Sequence, residues 1–221
     1  MVDRICWWAH ERINNADFIV IDTESTSLNG EVVDLAILDA AGETIFNSLI
    51  KPVGQVTEQA RAVHHISDAM LADAPNFADL WPEVEPLLAG KIVITYNVKF
   101  DFGMFALSLL AHGLPTEQLE ESGSRWHCLM EKYQEHARKS RWQKLDVALQ
   151  QQGLPVSNTH RALADAQAAY SLLAHLAAKW SEYERRQMEQ RWNAGQASTP
   201  IAPIALAQEP EMARAESSSI E

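Results

Sequence analysis

Cysteine is scarce in this chain: Cys6 and Cys128 are the only two. Two thiols cannot build the disulfide framework of a small secreted domain, and no paired Cys/His spacing of the zinc-binding kind accompanies them, so neither staple is expected. Long apolar runs are missing as well, and no stretch is long enough to span a bilayer. Residues 1–15 interleave Asp3, Arg4, His10, Glu11 and Arg12 with apolar neighbours, unlike the unbroken apolar stretch of a secretory signal. The expected setting is cytoplasmic and reducing, with no membrane partner and two free thiols. Positive charge is the third shortage. There are 18 Lys and Arg against 30 Asp and Glu, a net charge of −12. That argues against a protein gripping long duplex nucleic acid through many phosphate contacts. It leaves room for one that engages a few terminal nucleotides, because clustered carboxylates can hold cations that supply the missing positive charge.

What the chain does have is length for one domain with a substantial core: 221 residues, 47% of them hydrophobic. Ile5, Trp8, Arg12 and Ile13 recur at near-helical spacing, which predicts a short amphipathic helix over Arg4 to Asn15. The run Phe18 to Glu24 reads as a buried strand ending in acid. Val32 to Ala40 and Thr44 to Ile50 read as a hairpin turned at Ala40-Ala41-Gly42-Glu43 and stopped by Pro52. Thr57 to Gly90 reads as short helical pieces punctuated by Pro75, Pro82 and Pro86. Ile92 to Asn97 reads as another buried strand, followed by a helix from about Asp101 to His112 that Gly113 and Pro115 close. Helices are expected at Cys128 to Arg138 and Lys144 to Gln152. A last long helix runs from near Ala162 to about Trp192, capped by Asn158 or Thr159. After Asn193 the composition turns to Ala, Pro, Ser, Gln and Glu, too poor in apolar surface to offset the entropy of ordering. The expected organisation is an N-terminal helix at 1–16, a core domain at 17–180, a helical extension at 181–192 and a disordered tail at 193–221. Hairpin strands followed by strand–helix units point to an α/β fold with a mixed sheet and helices on its faces.

Asp22 and Glu24 stand two apart at a strand end, so both side chains leave one face of the sheet. Two carboxylates there repel unless a cation lies between them, although a solvated strand terminus is the blander account. Asp101 and Asp165 each fall in a first helical turn, where an acid also simply complements the helix dipole. Acids at two strand ends and two helix starts can nevertheless converge on one sheet edge. Hard oxygen donors gathered at one spot suit Mg²⁺ or Mn²⁺. Two such ions could activate a water and stabilise the departing oxygen of a phosphodiester. His160, five residues before Asp165, could reach that cleft and accept the water's proton.

Three segments carry a resemblance. Asp22-Thr23-Glu24-Ser25-Thr26, Tyr96-Asn97-Val98-Lys99-Phe100-Asp101 and His160-Arg161-Ala162-Leu163-Ala164-Asp165-Ala166 resemble the three motifs of DEDDh exonucleases, in the same order. That group belongs to the superfamily of the proofreading subunit of bacterial DNA polymerase III and of ribonuclease T. Val63-His64-His65-Ile66-Ser67 resembles a further family segment, and the similarity spans about Phe18 to Leu176. The resemblance implies a ribonuclease H-like fold and 3′–5′ exonuclease activity with two divalent ions; the expected substrate is a single-stranded 3′ end, DNA rather than RNA, although both kinds occur in the superfamily. It implies Asp22 bridging both ions, Glu24 and Asp165 completing one site, Asp101 holding the second and His160 as general base. By the same resemblance Thr23, Thr26, Leu28, His64, Asn97 and Phe102 line the pocket of the terminal nucleotide. Leu28 would wedge a base and Asn97 would hold the strand. Departures from the family pattern are Ser27 for Gly, Tyr96 for His and Asp34 for Glu.

Other features have ordinary readings beside the functional ones. Trp7 and Trp8 could stack bases or pack a terminal helix, and Trp126-His127-Cys128 could bind a metal or simply precede a helix. Arg138, Lys139, Arg141 and Lys144, interrupted by Trp142, form the one dense basic cluster, either a solvated loop or a guide for phosphates. Glu182 to Arg186 reads as an exposed helix face. The expected function is therefore a hydrolase of nucleic-acid 3′ ends, with any polymerase or repair partner acting in trans. The alternatives are a non-catalytic end-binding or polymerase-docking module and a metal phosphohydrolase of free nucleotides.

Overall fold

The computed structural model describes residues 2–156 and 160–193. Its centre is a five-stranded mixed sheet in the order β3-β2-β1-β4-β5. Strands β1 (Phe18–Ser25), β2 (Val32–Leu38) and β3 (Thr44–Leu49) form an antiparallel meander. Strands β4 (Ile92–Thr95) and β5 (Arg125–Cys128) add in parallel on the other side of β1. The β2–β3 turn is tied by Asp39, whose Oδ1 accepts from the amides of Ala41 and Glu43, both at 2.9 Å. Gly42 is required there: its φ is +83°, and a Cβ would lie 2.7 Å from the Tyr170 ring.

The period of two sends alternate residues to opposite layers. Ile19, Ile21 and Val93 pack with α4 (Phe77–Leu88) and α5 (Val98–Ala111), where Phe77, Trp81, Met104 and Phe105 fill the core. On the other face Phe18 stacks on Tyr170 of α9 (Ala162–Asn193), ring centroids 6.5 Å apart. Helices therefore cover both faces, as the expected ribonuclease H-like arrangement requires. Helices α2 (Glu58–His64) and α3 (Asp68–Leu71) lie between β3 and α4 in sequence. Pro82 and Pro86 do not punctuate this region as expected; both lie inside α4. They occupy its exposed face, while Phe77, Trp81, Val84 and Leu88 bury the opposite stripe. That burial outweighs the lost backbone bonds. A short α6 (Gln118–Glu121) and β5 were not foreseen, because Arg-Trp-His-Cys shows no apolar alternation.

Helix α1 (Arg4–Asn15) docks on α7 (Leu129–His136), and Arg4 pairs with Glu135. Trp8 is a packing residue: it is buried, stacks on His127 at 5.9 Å and carries Lys132 over its ring. Beside it His136 Nδ1 meets Asp3 Oδ2 at 3.0 Å and lies 3.7 Å from Cys6 Sγ, while Asp3 Oδ1 caps α1 through the amides of Ile5 and Cys6. This brings an Asp, a Cys and a His within 4.8 Å, a grouping that spacing alone did not suggest. The Asp3 hydrogen bond, helped by Cys6 and opposed by burial, pushes the His136 pKa up to about 9. For Asp3, burial is outweighed by the hydrogen bond and charge of His136, so its pKa falls. Tyr133 lies beside His136, and His175, near enough to feel its charge, is lowered by burial, Lys179 and His136.

The raised His136 stabilises the fold fully below its unfolded pKa of 6.5 and loses that contribution as pH rises through about 9. The lowered Asp3 contributes above its ordinary 3.8 and loses its share in acid. Asp3→Asn is therefore expected to cost about 2 kcal/mol near pH 6 and much less at about pH 10. Thermal melts of both proteins across that range check it, and a pH-independent difference would contradict it.

Helix α9 begins at Ala162 as expected, but Asn158 and Thr159, the expected caps, lie outside the described residues, as does the expected tail from residue 194 onward. The described residues divide into two units, the boundary falling between Ser181 and Glu182. Within the second, Glu182 pairs with Arg186 one turn on. Among the described residues no helix is long and apolar enough to cross a membrane.

Candidate active site

The carboxylates sit where β1 leaves the sheet. Asp22 and Glu24 project toward the α9 side, where Asp165 occupies the first turn of that helix. One oxygen from each of the three falls within 4.8 Å of the others. Thr23, between them in sequence, points to the opposite layer and donates from Oγ1 to Asp101 Oδ1 at 2.8 Å. Asp101 is 2% exposed in the first turn of α5. It lies outside the group of three, yet its charge acts on Asp22 more strongly than any other. Both helical layers thus deliver an acid to one sheet end.

Such crowding is costly without a cation. Burial, then the charges of Asp101, Asp165, Glu24 and Asp34, push the Asp22 pKa well above the usual carboxylate range. Burial followed by Asp165, Asp34 and Asp101 pushes Glu24 up to about 8, opposed by Arg161. Burial raises Asp101 to about 7 against the Thr23 hydrogen bond, and burial raises Asp165 against the charge of His160. A set of hard oxygen donors, each disfavoured as a bare anion, fits a divalent cation.

His160 is exposed immediately before α9, with φ +43°, close enough for its charge to act on Asp165. The next two residues fix that entry. Arg161 Nε donates to Asp34 Oδ2 at 2.7 Å, and the Ala162 amide donates to the same oxygen at 3.3 Å. Asp34 is 1% exposed and lies opposite Glu24 in the β1–β2 register. It therefore takes the place of a cap for α9 and anchors the histidine's segment to the sheet. Sequence reasoning noted Asp34 only as a departure from pattern. The signal available was a lone acid in an otherwise wholly apolar strand, Val32–Leu38.

A cleft of about 270 Å³ opens beside Glu24. Its lining includes Ser27, Leu28, Ala60, Val63, His64 and Phe100. Of the six expected pocket residues, Leu28, 82% exposed, and His64, 2% exposed, border it. His64 Nδ1 accepts from the Ile66 amide, and Nε2 has no partner among the described residues. Burial lowers its pKa. Thr23, Thr26, Asn97 and Phe102 do not line the cleft. Thr23 is engaged with Asp101, and Thr26 closes its own loop, its Oγ1 accepting from the Glu31 amide at 3.0 Å. Asn97 stands at the N-terminus of α5 with no side-chain capping bond, half-buried. Phe102 packs edge-on against Trp126 at 5.3 Å, and Phe100 takes the place on the cleft. Phe102 was expected from the resemblance alone, and here it faces the Trp126 side of α5 while Phe100, two residues earlier and so on another side of the same helix, meets the cleft.

Comparison with known proteins identifies the family. Residues 19–173 match the family model described as exonuclease, the RNase T family. An uncharacterized exonuclease, CP81 of Escherichia phage 186, is 30% identical over 171 residues, covering 73% of this chain and 88% of the phage protein. The DNA polymerase III subunit epsilon of Escherichia coli K12 is 28% identical over 111 residues, 44% of this chain and 46% of that one. Among solved structures, exonuclease X in complex with 5′ overhanging duplex DNA superimposes with a TM-score of 0.57 at 24% identity, over 73% of this chain and 92% of that one. The matched span runs from β1 through the buried half of α9, the same elements that bring the four carboxylates together, and the chain accordingly belongs to the exonuclease family.

Proposed function

We propose that this exonuclease hydrolyses the terminal phosphodiester of single-stranded nucleic acid, DNA in preference to RNA, with Asp22, Glu24, Asp101 and Asp165 holding two Mg²⁺ or Mn²⁺ ions. The observation that carries the reading is the trio of carboxylate oxygens within 4.8 Å, joined through Glu24 to an apolar cleft. Bound divalent ions supply Lewis acidity, which generates a nucleophile from water and stabilises the departing oxygen. The protein's own part is placement and proton transfer. Asp22, Glu24, Asp165 and Asp101, the last steadied by Thr23, would together hold the ions. His160 accepts the proton of the attacking water, and the nearby Asp165 charge stabilises the imidazolium so formed. The terminal base enters the cleft against Ala60, Val63 and Phe100, with Leu28 as the exposed wedge at its rim. His64 offers its Nε2 to the nucleotide, and the uncommitted amide of Asn97 holds the strand. The likeness to a polymerase subunit supports a polymerase partner in trans.

The test offers the purified chain 5′-labelled single-stranded DNA and RNA with Mg²⁺ or Mn²⁺. A ladder shortening from the 3′ end is expected, faster on DNA. His160→Ala is expected to lower kcat by about 10²–10⁴ while leaving oligonucleotide binding within about twofold. Turnover of mononucleotides alone, or full activity in the His160 variant, would overturn the reading.

A further inference from the structure

Arg4, Arg12, Arg61, Arg161 and Arg186 each pair with a carboxylate. The loop between α7 and α8 (Leu145–Gln152) is different. Residues 138–144 carry four of the 18 Lys and Arg in a chain of net charge −12. Arg138, Lys139, Arg141 and Lys144 are all exposed, and among the described residues none has a carboxylate partner. In their midst Trp142 is 58% exposed and takes part in no ring contact among the described residues. Four like charges without counter-ions, set around a bare indole, add nothing to the packing of the fold, so folding does not explain their grouping.

The loop is nonetheless held in shape. Tyr96 Oη donates to the Gln143 carbonyl at 2.6 Å. Gln143 Nε2 donates to the carbonyls of Arg141 and Trp142 at 3.0 and 3.1 Å, and Gln151 donates to Gln143 Oε1. Lys139 and Gln134 exchange two further bonds. Arg138 is left-handed, with φ +52°. The main anchor is informative: Tyr96 lies between β4 and Asn97, at the root of the helix that bears Asp101. On the other side Asp146, two residues past the loop, lies near enough to Asp165 for its charge to be felt there. The loop therefore stands at the same sheet end as the four carboxylates.

From this placement we infer that the 138–144 loop is a second contact for the single strand, reached by the nucleotides 5′ of the one in the cleft, with the four cations on phosphates and Trp142 stacked on an unpaired base. The inference rests on the exonuclease reading for its substrate class. Cations on phosphates give affinity that falls with salt, and an exposed indole gives sequence-tolerant stacking. The site would offset the repulsion between a strongly acidic protein and its polyanionic substrate without disturbing the carboxylates.

The test compares wild type, Trp142→Ala and the fourfold variant Arg138→Gln, Lys139→Gln, Arg141→Gln and Lys144→Gln. Single-stranded DNA and RNA of about 12 nucleotides are used. KM for the oligonucleotide is expected to rise about tenfold or more in each variant, with kcat little changed. The slope of log affinity against log salt, from fluorescence anisotropy, is expected to flatten only in the fourfold variant, by about 0.7 for each phosphate no longer neutralised. Hydrolysis of the p-nitrophenyl ester of thymidine 5′-monophosphate, too short to reach the loop, is expected to stay at the wild-type rate. Unchanged affinity and salt slope in both variants would overturn the inference. A wild type inactive on every substrate would refute the exonuclease reading, while anisotropy would still decide whether the loop binds the strand.

Discussion

Asp22→Asn is expected to lower turnover by about 10⁴-fold or more while making the metal-free protein more stable. Both results come from one arrangement. Asp22 sits among Asp101, Asp165, Glu24 and Asp34, whose charges add to burial in disfavouring its anion. Replacing it with a neutral isostere would remove one anionic oxygen donor to the ions and relieve the repulsion from its four acidic neighbours. The expected gain without metal is about 1–3 kcal/mol near pH 8. The pH dependence has a fixed sign. Glu24 is raised to about 8 and Asp101 to about 7, both above their ordinary 4.5 and 3.8. Their stabilising share is complete below those ordinary values and is lost as pH rises through about 7 and then 8. Metal-free wild type should thus be weakest in mild alkali, and the advantage of the Asn variant should fade toward about pH 4. Added Mn²⁺ should raise the wild-type melting temperature far more than that of the variant. Melting curves with and without metal decide this. A variant that is less stable than wild type at alkaline pH, or that keeps more than about a hundredth of the activity, would sink it.

The largest stability loss is expected from Phe105→Ala. Phe105 is fully buried in α5, edge-on to Phe77 at 5.7 Å, to Trp126 at 5.6 Å and to Trp81 at 6.5 Å. Three rings closed around one cannot collapse into the vacated space, so the cost should be about 3–5 kcal/mol. Phe105→Leu, which keeps most of the volume, should cost about 1.5 kcal/mol or less. The damage should also reach the site, since Asp101 lies one turn earlier on the same helix. Weaker Mn²⁺ binding is therefore expected in the Ala variant under conditions where it is still folded. Denaturant melts and metal titration measure the two effects, and a loss below about 1 kcal/mol would contradict the packing argument.

These two residues mark the boundary of what could be read from sequence. Asp22 and Glu24 were legible because a period of two fixes their common face whatever surrounds them. Strands β1 to β4 and the long helices were legible from their apolar runs. β5 was not: Arg-Trp-His-Cys becomes a strand only because β4 offers it an edge. Pro82 and Pro86 misled for a related reason, since the stripe they interrupt locally is secured by partners distant in sequence. Asp34 owes its importance to Arg161, 127 residues later. No local pattern carries a relation of that length. The start of α5 was read three residues late, because Val98, Lys99 and Phe100 carry no capping signal of their own.

The position of α9 in the chain has a consequence for synthesis. Its first turn holds Asp165, and its buried half covers the sheet face of Phe18. A growing polypeptide presents the other acids long before that helix leaves the ribosome. During that interval the uncovered sheet face invites aggregation, and the carboxylate cluster lacks its fourth acid. Docking of a single late helix ends both conditions together.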